Sequence, residues 1–321
     1  MPPRPSDLSL DSSFSPEGPF SPERPCAPWV SSSPPSWRGL VLRCLAWPAT
    51  LWRRRDLILT SVRRDLAARV RGTLLGWLWM VAQPLLMFAV YAFLFTTLLG
   101  VRIGGEGVPA AAMGVYMFTG TLVWSALADA LTRSTSCVVD QRHLVRSVRF
   151  PAELLPLQIA LASLVTLTVG VLAFVGFCAL TDIWPAPAPE WLLWVPLLLL
   201  LQALFSTGLG LGLASLHVLW RDTLPCVSIL LTVWMFATPI FWIASPELLP
   251  GIAPYLAWIE ANPAYHMVTA WRTVLMGEGL AAVSPSSFSR ALVHFSAWSV
   301  FAFGLGSLVF FRLQRHLADE V

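Results

Sequence analysis

Residues 191–220 read WLLWVPLLLLLQALFSTGLGLGLASLHVLW, thirty consecutive positions without an acidic side chain or an arginine. After the single interruption Arg221-Asp222, residues 223–246 continue TLPCVSILLTVWMFATPIFWIASP, again uncharged. A helix that crosses the hydrocarbon of a bilayer needs about 20 predominantly apolar residues. Charged groups are rarely left unpaired there, so uncharged runs count the crossings. Four more such runs occur, at 72–101, 107–128, 154–181 and 291–311. The spacing predicts an all-α polytopic membrane protein with six spans, at about 74–100, 108–130, 154–181, 191–217, 223–243 and 291–311.

Composition points the same way. The chain is 56% hydrophobic and 12% charged, against about 25% charged in soluble domains. A soluble protein this apolar could not cover its own surface. The net charge of +3 gives no field strong enough to imply nucleic acid as a partner. All 21 basic residues are arginine. A phosphate-binding loop uses a lysine to reach the nucleotide phosphates, so this chain carries no standard one.

Six spans put both termini on one side, and the arginines say which. With the N-terminus inside, cytoplasmic segments hold 18 of the 21: the eleven from Arg4 to Arg71, then Arg133, Arg142, Arg146, Arg149, Arg221, Arg312 and Arg315. Only Arg102, Arg272 and Arg290 fall outside. Cytoplasmic loops of membrane proteins carry this excess, so N-in, C-in is expected.

Residues 1–37 are rich in Pro and Ser and show no apolar period, which predicts a disordered cytoplasmic tail ahead of a membrane domain at 38–321. Residues 53–71 behave differently. Ile58, Leu59, Val62, Leu66 and Val70 recur at helical spacing, with Arg54, Arg63, Arg64 and Arg71 off the stripe and Arg69 within it. This reads as a helix lying in the cytoplasmic interface against anionic headgroups, with Arg69 snorkelling. Between the fifth and sixth runs, 247–290 is too apolar for a plain loop and too often broken by Pro to span twice. A re-entrant helical hairpin fits it best. Pro84 should bend the first span, and Gly208 with Gly212 should permit a close helix approach.

Catalytic chemistry is hard to assemble. No H-E-x-x-H occurs and the five His are dispersed. The cysteines Cys26, Cys44, Cys137, Cys178 and Cys226 form no C-x-x-C pair and read as small apolar fillers. Asp129 and Arg133 stand at i,i+4 as a helix-face ion pair near a span end. Most of the 16 Trp sit where an interfacial belt would. Trp124, Trp234 and Phe236 lie deeper, either packed or available to stack on sugar rings.

Four blocks of the sequence resemble the ABC-2 type permeases that export polysaccharides: O-antigen, capsule and teichoic acid. The first runs Arg64-Asp65-Leu66-Ala67-Ala68-Arg69-Val70-Arg71-Gly72, then Leu75-Gly76-Trp77-Leu78-Trp79 and Pro84-Leu85. The second holds Gly120-Thr121-Leu122-Val123-Trp124, Ala130-Leu131-Thr132-Arg133-Ser134, His143-Leu144-Val145-Arg146 and Arg149-Phe150-Pro151-Ala152-Glu153-Leu154-Leu155-Pro156-Leu157. The third is Trp220-Arg221-Asp222 with Thr238-Pro239-Ile240. The fourth is Asn262-Pro263, Trp271-Arg272 and the tail Phe311-Arg312-Leu313 to Leu317-Ala318-Asp319. The blocks span residues 53 to 319 in order. Val70 stands where the family usually has Tyr, and Ser147 where a second basic residue is common.

The resemblance implies a homodimer working with two copies of a separate ATP-binding subunit. ATP and Mg would sit on that partner, with no cofactor or metal in this chain. It implies that force enters through the cytoplasmic loops, at Asp140, Arg142, His143, Arg146, Arg149 and Phe150 and at Trp220, Arg221 and Asp222. A lipid-linked glycan would enter beside Arg64, Arg69 and Arg71. It would pass conduit aromatics at Trp124, Trp234 and Phe236 and an outer gate at Asn262, Pro263, Trp271 and Arg272. The setting is the bacterial inner membrane. Two alternatives stand beside this: an ABC-2 exporter of a drug or lipid, and a membrane acyl- or glycosyltransferase. The second needs convergent carboxylates or His, which the sequence does not supply.

Overall fold

A computed structural model describes residues 53–100, 111–142, 152–181, 187–246, 250–277 and 287–320, with side chains to 313. The expected tail at 1–37 and the loop residues His143, Arg146, Arg149 and Phe150 lie outside the described residues. Among those described, all regular structure is helical. The helices are α1 (Arg55–Val70), α2 (Trp79–Ala92), α3 (Ala112–Asp140), α4 (Leu154–Leu180), α5 (Pro189–Leu192), α6 (Val195–Leu219), α7 (Thr223–Ala237), α8 (Leu256–Ala261), α9 (Pro263–Met276) and α10 (Phe288–Glu320).

Four stretches are long and apolar enough to cross a membrane: Gly76–Leu98, Leu154–Leu180, Pro189–Leu219 and Phe288–Leu313. The first is continuous because a short 3-10 turn at Gly76–Leu78 leads into α2 and a π-helical turn at Phe93–Leu98 leaves it. Pro84 sits inside α2 and the helix continues through it. The 29-residue α3 has the length but carries Thr119, Thr121, Ser125 and Asp129. With 15 residues, α7 covers about 22 Å at 1.5 Å per residue.

Residue pairings fix the direction of each helix. Along α3 and α6, Val123 meets Gln202 and Ser134 meets Gly210, so the two run parallel. Gly208 lies on Ala302 and Gly212 nears Gly306, so α10 runs parallel to α6. Against α3, Gly114 meets Ala92 while Phe118 meets Phe88, which makes α2 antiparallel. Asp129 meets Ser163 and Leu122 meets Gly170, and Trp124 meets Trp234 while Tyr116 meets Trp242. These pairings make α4 and α7 antiparallel to α3 as well. One end of the bundle therefore gathers the C-termini of α3, α6 and α10 with the N-termini of α2, α4 and α7.

The core centres on α3. Phe88, Phe118 and Phe174 meet edge-on or tilted, with centroids 5.3–5.8 Å apart. The closest helix crossing is α6 on α10. A Cβ on Gly208 would collide with the Ala302 backbone, and one on Gly306 with the Gly208 carbonyl. Gly208 and Gly212 both face α10, closely at Gly208 and loosely at Gly212, where an added Cβ would stand 3.9 Å from Gly306 Cα. Gly210 faces Ser134 of α3.

Candidate functional site

The end of the bundle that collects the C-termini of α3 and α6 also carries the expected coupling residues. Asp140 and Arg142 stand exposed where α3 stops. Trp220, Arg221 and Asp222 form an exposed turn between α6 and α7, closed by Thr223 N–H donating to the Trp220 carbonyl at 3.1 Å. The parallel run of α3 and α6 puts these two groups on one face. Cys137, one turn before Asp140, is buried, and that burial pushes its thiol up, away from thiolate chemistry.

At this end α1 is docked on protein. Ile58, Val62 and Leu66 are buried in a cluster with Leu154, Leu157 and Ala162 at the start of α4. The sequence read that stripe as facing lipid. The stripe is real, but it covers α4, while Leu59 stays 53% exposed. Arg64 and Arg71 are exposed. Arg69 does not snorkel. Its Nη2 donates to Asp129 Oδ2 at 2.8 Å and its Nε to Asp65 Oδ2 at 3.3 Å. Arg133 pairs with Asp65 through Nη2, and its Nη1 lies 3.6 Å from Asp129, an electrostatic contact too long for a hydrogen bond. Ser163 on α4 donates to Asp129 at 2.5 Å. The i,i+4 pair read from the sequence is thus one side of a four-charge ring between α1 and α3, with Ser163 of α4 bonded to it. Asp65 and its reach to Arg133 carried no local signal, because the partners lie 68 residues apart.

Beside the ring, a cleft of about 370 Å³ follows α2 from Trp79 to Tyr91, lined also by Phe118, Thr121 and Arg69. The expected conduit aromatics divide. Trp124 is 4% exposed and meets Trp234 edge-on at 5.5 Å. Trp234 is half-buried, and its indole N–H donates to Asn262 Oδ1 at 2.8 Å. Phe236 is 59% exposed.

The expected gate residues lie at the opposite end. Asn262 caps α9, accepting from Ala264 N–H at 3.0 Å, while Pro263 begins the helix with no N–H to satisfy. Its amide also donates to Thr238 Oγ1 at 2.9 Å. Trp271 is fully buried and donates to Gln202 Oε1 at 2.9 Å. Arg272 is buried and reaches the carbonyls that close α7. Among the described residues no group of three or more His, Cys, Asp or Glu is placed to hold a metal ion.

Comparison with known proteins adds a family. The profile of the ABC-2 type transporter family matches residues 56–276. The chain is similar to a Myxococcus xanthus protein named O-antigen export system permease protein RfbA, 28% identical over 272 residues. That alignment covers 84% of this chain and 97% of the relative. Two Klebsiella pneumoniae proteins of the same name are 26% and 24% identical, each over 69% of this chain and 80% of their own length.

Proposed function

The chain belongs to the ABC-2 type transporter family, and we propose from that membership that it is the permease subunit of an ATP-driven exporter that carries a lipid-linked polysaccharide across the bacterial inner membrane. The observation that carries the polysaccharide reading is the run of relatives named for O-antigen export, one of which this chain covers almost end to end. The chain is a multi-pass membrane protein and a transport subunit.

Six passes complete the proposal. α3 and α7, with the residues that follow α7, supply the two crossings beyond the four long apolar helices. The alternating directions support it: α3, α6 and α10 run one way, and α2, α4 and α7 the other. The arginine-rich end is then cytoplasmic, and α8–α9 form an external re-entrant hairpin. Hydrolysis belongs to a separate ATP-binding subunit that docks on Asp140, Arg142 and the Trp220–Asp222 turn, together with the loop holding His143, Arg146, Arg149 and Phe150. A second copy of the chain pairs across α2, the π-helical turn after it and α7, which leave Leu86, Val90, Phe93, Ile229, Leu230, Val233 and Phe236 about half or more exposed. Between the copies lies the path, with Phe236 on it and Asn262, Pro263, Trp271 and Arg272 at its outer gate.

Deletion of the gene tests this. Surface polysaccharide should disappear, lipid-linked polymer should accumulate inside the cell, and the wild-type gene should reverse both. A deletion strain with normal surface glycan that becomes sensitive to a toxic amphiphile would favour a drug or lipid exporter instead.

A further inference from the structure

Asp65 and Asp129 have no part in the roles assigned above, yet each holds two cations. Asp65 faces Arg69 and Arg133; Asp129 faces the same two, and Ser163 as well. The four charges sum to zero, so the ring as it stands is not an anion trap. Its geometry is that of a joint. From Arg133, α3 runs unbroken for seven residues to Asp140, about 10 Å at 1.5 Å per residue, and there the cytoplasmic loop begins. Where that loop ends, Leu154 and Leu157 of α4 pack on the apolar stripe of α1. Both sides of the loop therefore grip α1, one through charge and one through apolar contact. The charged grip is the adjustable one: its four side chains are 20–35% exposed. Partly hydrated ion pairs exchange at low cost, whereas packed apolar surfaces do not slide freely. Arg69 also lines the 370 Å³ cleft along α2, so a shift of the ring changes the charge presented there.

We propose that the Asp65–Arg69–Asp129–Arg133 ring is a positioning device that couples the cytoplasmic loop to α1, and that transport, rather than assembly, depends on Asp65 and Asp129. The inference rests on the transport reading above. The test uses the full complex with its ATP-binding subunit. The double variant Asp65→Asn/Arg133→Gln removes one anion and one cation, leaving Arg69 and Asp129 paired. It should accumulate and hydrolyse ATP like the wild type, but export about 2- to 30-fold less glycan per ATP, the range over which coupling residues act. Asp129→Glu, which keeps the charge, should export more than Asp129→Asn. If the double variant does not accumulate, Ser163→Ala, which removes one hydroxyl hydrogen bond to Asp129, makes the same comparison. A properly accumulated variant with wild-type export per ATP overturns the inference and reduces the ring to packing. If the wild-type gene restores no surface glycan to the deletion strain, the transport reading falls first and the inference with it.

Discussion

The guanidinium of Arg272 lies 3.5 Å from the centroid of the Tyr116 ring, clamping α9 to α3 face-on. Its Nε donates to the Tyr116 carbonyl at 3.2 Å, Nη1 to Pro239 at 2.5 Å and Nη2 to Ile240 at 3.0 Å. None of these partners is a carboxylate. The buried cation is held by three carbonyl dipoles and a π face, and it ties the segment after α7 to the middle of the bundle.

Arg272→Ala should therefore destabilise strongly. It strands the buried Ile240 carbonyl, at about 1–3 kcal/mol when left unpaired, and removes one donor each from the Tyr116 and Pro239 carbonyls, which keep the Thr119 and Tyr116 hydroxyls. Arg272→Lys keeps the charge but cannot fork across three acceptors, so it should fall between the two. Thermal unfolding of the purified protein checks the order wild type, Lys, Ala. A wild-type midpoint for the Ala variant would mean that the clamp is idle. Gly120→Ala should resemble a weakened clamp, since its new methyl would meet the guanidinium.

Arg272 also shows what the sequence could and could not disclose. Hydrocarbon excludes unpaired charge, so the four long apolar helices were legible in the sequence, and Arg272 read as an outside residue. That it is buried depends on the carbonyls of Tyr116, Pro239 and Ile240, which no local pattern announces. The apolar stripe of α1 was legible for the same reason as the spans. What covers it was not, because lipid and the Leu154–Leu157 surface are equally apolar. Asp129 with Arg133 was visible at helical spacing, whereas Arg69 and Asp65 come from 60 and 68 residues away.

The α6–α10 crossing gives a contrast within one helix face. Gly306→Ala would drive a methyl into the Gly208 carbonyl, and Gly208→Ala into the Ala302 backbone. Backbone cannot step aside as a side-chain tip can, so both should lower abundance and thermal stability. Overpacking of this kind costs about 1–3 kcal/mol. Gly212→Ala meets only Gly306 Cα, at 3.9 Å, and should be neutral. Equal effects at 208 and 212 would contradict the crossing.

The conduit aromatics separate by what their loss should cost. Trp234→Phe keeps a ring against Trp124 but deletes the bond to Asn262, which also holds Thr238 and Ala264. Abundance and export should fall together, because the α7–α9 junction loosens by about 0.5–1.5 kcal/mol. Phe236→Ala exposes no such junction and should slow export with protein level unchanged. Quantitative blotting beside a surface-glycan assay reads both. If Phe236→Ala exports normally at normal abundance, Phe236 is not on the path.

Energy transfer is the remaining test. Without lysine the chain has no standard phosphate-binding loop, so the purified permease should hydrolyse no ATP until its ATP-binding subunit is added. Replacing Arg146 and Arg149 together by Ala should then leave the permease inserted but lower subunit binding, export, or both. The size of the defect reports how dry the contact is. Removing one partner of an exposed ion pair costs about 0–1 kcal/mol, and of a buried pair about 3–5. Binding measured by co-purification, and hydrolysis by phosphate release, should show a fewfold loss in the first case and more than a hundredfold in the second. Unchanged binding and unchanged export would leave these arginines only their part in setting topology, and the docking face would then rest on Arg142, Arg221 and Asp222.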